Sequence, residues 1–137
     1  MKRSLKKNQR EGAALVEFAI CVPILFLMFF ASVEFRRVAM IRHTADNAVY
    51  EGCRIGIIPG ATVAEVTAEA ERVLLTVGIS NADIQVTPGS IDADTEEVTV
   101  AVSVSVDDNA LLPTQYFSGQ SITRELTLRR EGLTASN

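Results

Sequence analysis

The sequence predicts an α+β protein. A long N-terminal helix, half transmembrane and half soluble, is followed by a second helix and a three-stranded antiparallel sheet. Three observations carry this reading. Residues 12–33 form an apolar run broken by one carboxylate, Glu17. A helical stripe of apolar and small residues continues beyond that run. Past residue 80 the apolar period shortens to two, most clearly in Val98, Val100, Val102, Val104 and Val106. The expected division is a basic cytoplasmic leader at 1–12, a transmembrane segment at 13–33 and an extracytoplasmic domain at 34–137.

The 22 residues of the apolar run make about 33 Å of helix, which matches a hydrocarbon core of about 30 Å. Three readings fit such a segment. A cleaved secretory signal has a shorter apolar core and a small-x-small site after it, and residues 28–33 supply only a poor one. A plain signal anchor fits the length but leaves Glu17 unexplained. The third is a leader cut after Gly12 on the cytoplasmic side, which leaves the run on the mature chain.

Glu17 bears on the choice. An acidic residue at a membrane-helix centre costs about 2.5–3.5 kcal/mol, so an ionisable group there is a functional-site hypothesis. Lying five residues inside the span, about 7.5 Å by helical rise, it could also snorkel toward the interface. A cut after Gly12 would create an α-amine on Ala13. In a neighbouring subunit shifted along the helix axis, that amine could neutralise Glu17 and fix the stagger between helices. Pro23, in mid-span, removes an amide donor, so a kink or loosening is expected over residues 19–23.

Val38, Ile41, Ala45, Ala48, Gly52 and Ile55 recur at alternating spacings of three and four, one stripe on a helix. One continuous helix is therefore expected over 13–57, ended by Ile58-Pro59-Gly60. Thr62-Val63-Ala64-Glu65 has the form of a capping box. It opens a second helix with apolar Val63, Val66, Ala70, Val73, Leu74 and Val77, closed by Gly78. Ile84 and Val86 mark a short strand stopped by Pro88-Gly89, and residues 98–106 a half-buried strand. Ile122, Leu126 and Leu128 give a third, with Arg124 on the same parity, as at an edge. The sheet should cover the long helix and bury one face of each element.

The net charge of −4 conceals a split. Lys2, Arg3, Lys6, Lys7 and Arg10 give the first ten residues +5, while the rest carries −9. A basic head before an apolar span is the positive-inside pattern, placing residues 1–10 in the cytoplasm. A short basic tail flush against a membrane is not a nucleic-acid surface, so no nucleic acid is expected as a partner. Cys21 and Cys53 read as small apolar packers, with no CxxC spacing to suggest a metal pair. His43, the only histidine, reads as a helix-surface residue.

Asp92, Asp94, Glu96 and Glu97, and then Asp107, Asp108 and Asn109, form acidic clusters that lack the glycine and terminal glutamate of a calcium loop. They read as solvated turns. No metal, cofactor or catalytic constellation is expected, and so no enzyme. Tyr116-Phe117, following Leu111-Leu112-Pro113, reads as a plug for the core.

The chain resembles the TadE-like family, minor pseudopilins of the tight-adherence branch of type IV pilus systems. The likeness lies in Gly12-Ala13-Ala14-Leu15-Val16-Glu17-Phe18-Ala19, Val22-Pro23 and Val33-Glu34-Phe35-Arg36. Ala48-Val49-Tyr50-Glu51-Gly52-Cys53-Arg54-Ile55-Gly56 and the closing Leu128-Arg129-Arg130-Glu131 support it. The resemblance implies a pilin-like fold and cleavage after Gly12 by a prepilin peptidase. It also implies a role for Glu17 in processing or assembly, and partnership with other pilin or pseudopilin subunits, inner-membrane assembly proteins and membrane lipid. Ala13 after the cut, where many major pilins carry an aromatic residue or Met, favours a pseudopilin. The rival expectation is an unprocessed, single-span adaptor or ligand-binding domain in the cell envelope.

Overall fold

The computed structural model describes residues 3–109 and 117–130, with side chains from Gly12 onward. Helix α1 runs from Arg3–Gly56, 54 residues, or about 81 Å at the helical rise. It starts ten residues before the expected position because Lys, Arg, Gln and Leu in the leader are good helix formers and no proline intervenes. The helix passes through Pro23 without interruption.

Helix α2, Val63–Leu75, opens on the expected capping box. The Glu65 amide donates to Thr62 Oγ1 at 3.3 Å, and the Thr62 amide donates to Glu65 Oε2 at 2.9 Å. Donation from the Thr62 backbone and hydroxyl holds the exposed Glu65 carboxyl below its ordinary value. Its end is tighter than the apolar pattern alone suggests. The Thr76 and Val77 amides bond to carbonyls three residues back. Gly78, at φ 75, then lets Ile79 donate to Leu74 O at 3.2 Å. This is a Schellman closure, with Ile79 and Leu74 both buried.

Strands β1 (Ala82–Thr87), β2 (Glu97–Ser105) and β3 (Ser121–Arg129) form an antiparallel sheet in the order β1-β2-β3. Val98, Val100, Val102 and Val104 are wholly buried against the helices. On the other face Thr99 bonds Thr127 at 2.8 Å and Ser103 bonds Thr123 at 3.1 Å, both hydroxyl to hydroxyl. Arg124 pairs in register with Val102 on the inner face. From this edge strand its Nε reaches Asp46 Oδ1 of α1 at 2.8 Å. An inward-pointing charge at an edge also discourages pairing with foreign strands. The expected α+β architecture is thus present, with a short 3-10 turn, Asp107–Asn109, after β2.

The core lies between the sheet and the second half of α1. Val38, Ile41, Ala45 and Ala48 of the expected stripe are buried, together with Val49 and Cys53 beside it. Two glycines on this face allow close approach, but they differ. A Cβ on Gly52 would stand 3.5 Å from Ala70 Cβ and Val100 Cγ1, ordinary contact. On Gly56 it would lie 2.8 Å from Val98 Cγ1 and 3.3 Å from Val66 Cγ2, both on stiff β-branched side chains. Gly52→Ala should therefore stabilise the domain by about 0.5–1 kcal/mol through helix propensity. Gly56→Ala should destabilise it by about 1–3 kcal/mol through overpacking. Urea unfolding of the two variants should shift the midpoint in opposite directions.

Candidate functional site

The first half of α1 is exposed apolar surface. Within Gly12–Gly56 the helix is long and apolar enough to cross a membrane, and its most apolar window is not buried in the fold. Leu15 is 72% and Leu25 64% exposed, and Phe30 stacks on Phe26 and meets Phe29 edge-on along the helix. The segment is a candidate membrane anchor. Gly12, Ala13 and Glu17 all lie on its exposed surface near the N-terminal end. Glu17 follows Ala13 by four residues, so both stand on one helix face a turn apart. Among the described residues Glu17 has no side-chain partner. A Cβ on Gly12 would meet nothing within 4 Å, so neither packing nor a positive φ requires glycine there. In a helix interior it costs about 0.5–1 kcal/mol relative to alanine.

Where the apolar run ends, Glu34, Phe35 and Arg37 fasten the domain to α1. A Glu34 carboxylate oxygen accepts from the Phe117 amide at 3.1 Å. Phe35 packs edge-to-face on Phe117, with ring centroids 5.0 Å apart. Arg37 donates from Nε to Asn109 O at 2.9 Å and from Nη1 to Val77 O at 3.1 Å. Asn109, itself buried, donates from Nδ2 to Ser105 O at 3.0 Å and Asn81 O at 3.3 Å. One polar hub thus joins α1, the turn after α2 and the end of β2. Sequence reasoning assigned none of these contacts. Charged residues next to the apolar run were its only local signal, because the partners lie 40 to 83 positions away.

Of the expected plug, Phe117 is partly buried against the core, whereas Leu111, Leu112, Pro113 and Tyr116 lie outside the described residues. Asp92, Asp94, Glu96 and Glu97 are exposed. Arg130, which is buried, donates from Nη1 to the Asp92 and Thr95 carbonyls of that loop. Asp107 accepts from the Gly119 amide at 2.6 Å. Among the described residues no group of three His, Cys, Asp or Glu side chains is placed to hold a metal ion. His43 is exposed.

Cys53 packs in the core, its thiol donating to Leu126 O at 3.1 Å, while Cys21 is exposed. Burial raises the Cys53 thiol above its ordinary value of 9.0, opposed by backbone hydrogen bonds to Val100 and Leu128. A raised folded value means that the unfolded chain loses this proton first. The resulting stability is present below 9.0 and declines as pH rises beyond it. In detergent, a maleimide should add once to the folded chain, at Cys21, and twice after denaturation. Double addition under native conditions would contradict the buried thiol.

A chain whose apolar helix also serves as the spine of a small α+β domain has the architecture of a pilin-like protein. Residues 12–54 match the family model described as TadE-like protein, so the resemblance read from the sequence holds over that stretch. The matched residues run from Gly12 through the neck at 34–37 to the buried face of α1. No curated protein and no solved structure matches the chain.

Proposed function

We propose that this protein is a minor pilin-like subunit, a pseudopilin, for assembly of a tight-adherence type IV pilus. It is inserted once in the inner membrane, N-terminus in the cytoplasm, and is processed by a prepilin peptidase after Gly12. The observation that carries the reading is Glu17. It is the lone carboxylate in an exposed apolar helix, five residues past Gly12 and inside the TadE-like stretch. Gly12 adds support, since a small residue that the fold does not require suits a peptidase. After the cut, Glu17 stands one turn from the new terminus, where the positive end of the helix favours a carboxylate. The Ala13 amine of a neighbouring subunit supplies the opposite charge.

The sequence offers a direct test. Lys2, Lys6 and Lys7 are its only lysines, and all precede Gly12. Cleavage therefore leaves the Ala13 α-amine as the sole primary amine of the mature chain. Protein from native membranes should show the mass of residues 13–137 and take up one label on reductive methylation, where the uncut chain takes four. A chain that begins at Met1 while the cognate peptidase is active would instead support the membrane-anchored adaptor.

A further inference from the structure

We propose that the helix-neck end of the folded domain is a lipid-docking surface. Phe35, Phe117 and Arg36 would lie in the phospholipid headgroup layer, and this contact sets how deeply α1 sits in the membrane. The inference rests on the reading of α1 as membrane-spanning.

The neck contacts locate the surface. Glu34 and Arg37 hold Phe117, Val77 and Asn109 within one helical turn of the end of the apolar run. A membrane around that run therefore meets this end of the domain. Phe35 remains 58% exposed despite its contact with Phe117, and Arg36 beside it is exposed. Phenylalanine rings insert at the boundary between headgroups and acyl chains. A guanidinium matches the paired oxygens of a lipid phosphate. Asp107 and Asp108 at the same end are exposed carboxylates, too costly to follow the run into hydrocarbon. The end thus has aromatic and cationic groups that fit the interface and acidic groups that stop it there.

The spacing along α1 gives this stop a consequence. From Phe35 to Glu17 is about 27 Å by helical rise, and to Ala13 about 33 Å. Across a hydrocarbon core of about 30 Å, docking Phe35 at the outer boundary puts Glu17 about 3 Å inside the inner boundary. The Gly12–Ala13 bond then emerges into the cytoplasmic headgroup layer. The domain on one side and the basic leader on the other hold that bond where a peptidase can reach it.

The chain contains no tryptophan, so single introduced indoles report without background. Full-length Phe117→Trp, Phe35→Trp, Phe26→Trp and Ile58→Trp variants would be reconstituted in vesicles of equal parts phosphatidylcholine and phosphatidylglycerol. Ile58 lies at the opposite end of the domain. The probes at 117 and 35 should be quenched by lipids brominated near the headgroup and be several-fold less open to aqueous iodide than the probe at 58. Adding Arg36→Gln should weaken that shielding. Probes at 117 and 35 as open to iodide as the one at 58, with position 26 still quenched by deeply brominated lipid, would overturn the docking surface alone. Absence of quenching at position 26 would overturn the membrane span and the docking surface together. The probe at 35 keeps the test decisive if Phe117→Trp fails to fold.

Discussion

Glu17→Gln should abolish entry of the subunit into filaments while leaving the protein in the membrane. The substitution keeps the size and hydrogen-bonding reach of the side chain and removes only its charge. Nothing in the folded domain depends on that charge, since Glu17 is exposed and has no side-chain partner among the described residues. Insertion should improve slightly if it changes at all, because a neutral amide is cheaper in lipid than a carboxylate. What is lost is the attraction to an amine on a neighbouring chain. A hydrogen bond to a charged group contributes about 1.5–3 kcal/mol, roughly ten- to a hundredfold in an association constant. That loss recurs at every helix contact such a subunit makes. Alkaline extraction would report membrane retention, and the sheared surface fraction would report filament entry. Normal entry of the Gln variant would sink the pairing hypothesis.

Blocking the cut separates processing from pairing. Gly12→Leu puts a bulky side chain where nothing in the fold crowds it, so folding should be unaffected. The leader should be retained, and Ala13 would then offer no amine. If both variants fail at the same step, the amine and the carboxylate act as one unit. If Glu17→Gln protein is cut normally yet excluded from filaments, the carboxylate serves assembly and not recognition by the peptidase.

Local chemistry made most of the architecture legible. Thr62 and Glu65 announce the start of α2 because a capping box is closed within four residues. The β2 valines announce a half-buried strand because period two needs no distant information. Arg124 on the inner parity pointed to an edge, and its ion pair with Asp46 explains how the inner face accommodates it. The start of α1 was misplaced for a local reason. The basic leader reads as a boundary by charge, yet its residues favour helix. The neck was out of reach for the opposite reason. Arg37 bonds backbone carbonyls at Val77 and Asn109, and backbone acceptors carry no residue-type signature. Of the candidate site, Glu17 could be named from sequence because membrane cost isolates a carboxylate, and Pro23 because it lacks an amide donor. Gly12 and Ala13 could be named because they open the apolar run where the family resemblance places a cut. The docking of the domain on residues 34–37 could not.

Ile41→Ala should cost the domain about 2–5 kcal/mol, against a total stability of about 5–15 kcal/mol for a typical domain. Ile41 is wholly buried and is among the largest fully buried side chains, on the α1 face that meets the sheet. Truncation removes three carbons from a core otherwise built largely of valine and alanine. Valines with stiff rotamers cannot reach across to fill the gap. Leu25→Ala removes a similar volume from the same helix, but Leu25 is 64% exposed on the apolar half of α1. It should leave the domain unchanged. Chemical denaturation in detergent, followed at the sheet and not by total helicity, isolates the domain from the apolar half of α1. A large midpoint shift for Ile41→Ala with none for Leu25→Ala is the signature of a helix that is domain core along one half and surface for its surroundings along the other. Equal shifts would mean that both halves unfold as one unit, and the spine would then not divide where the neck does.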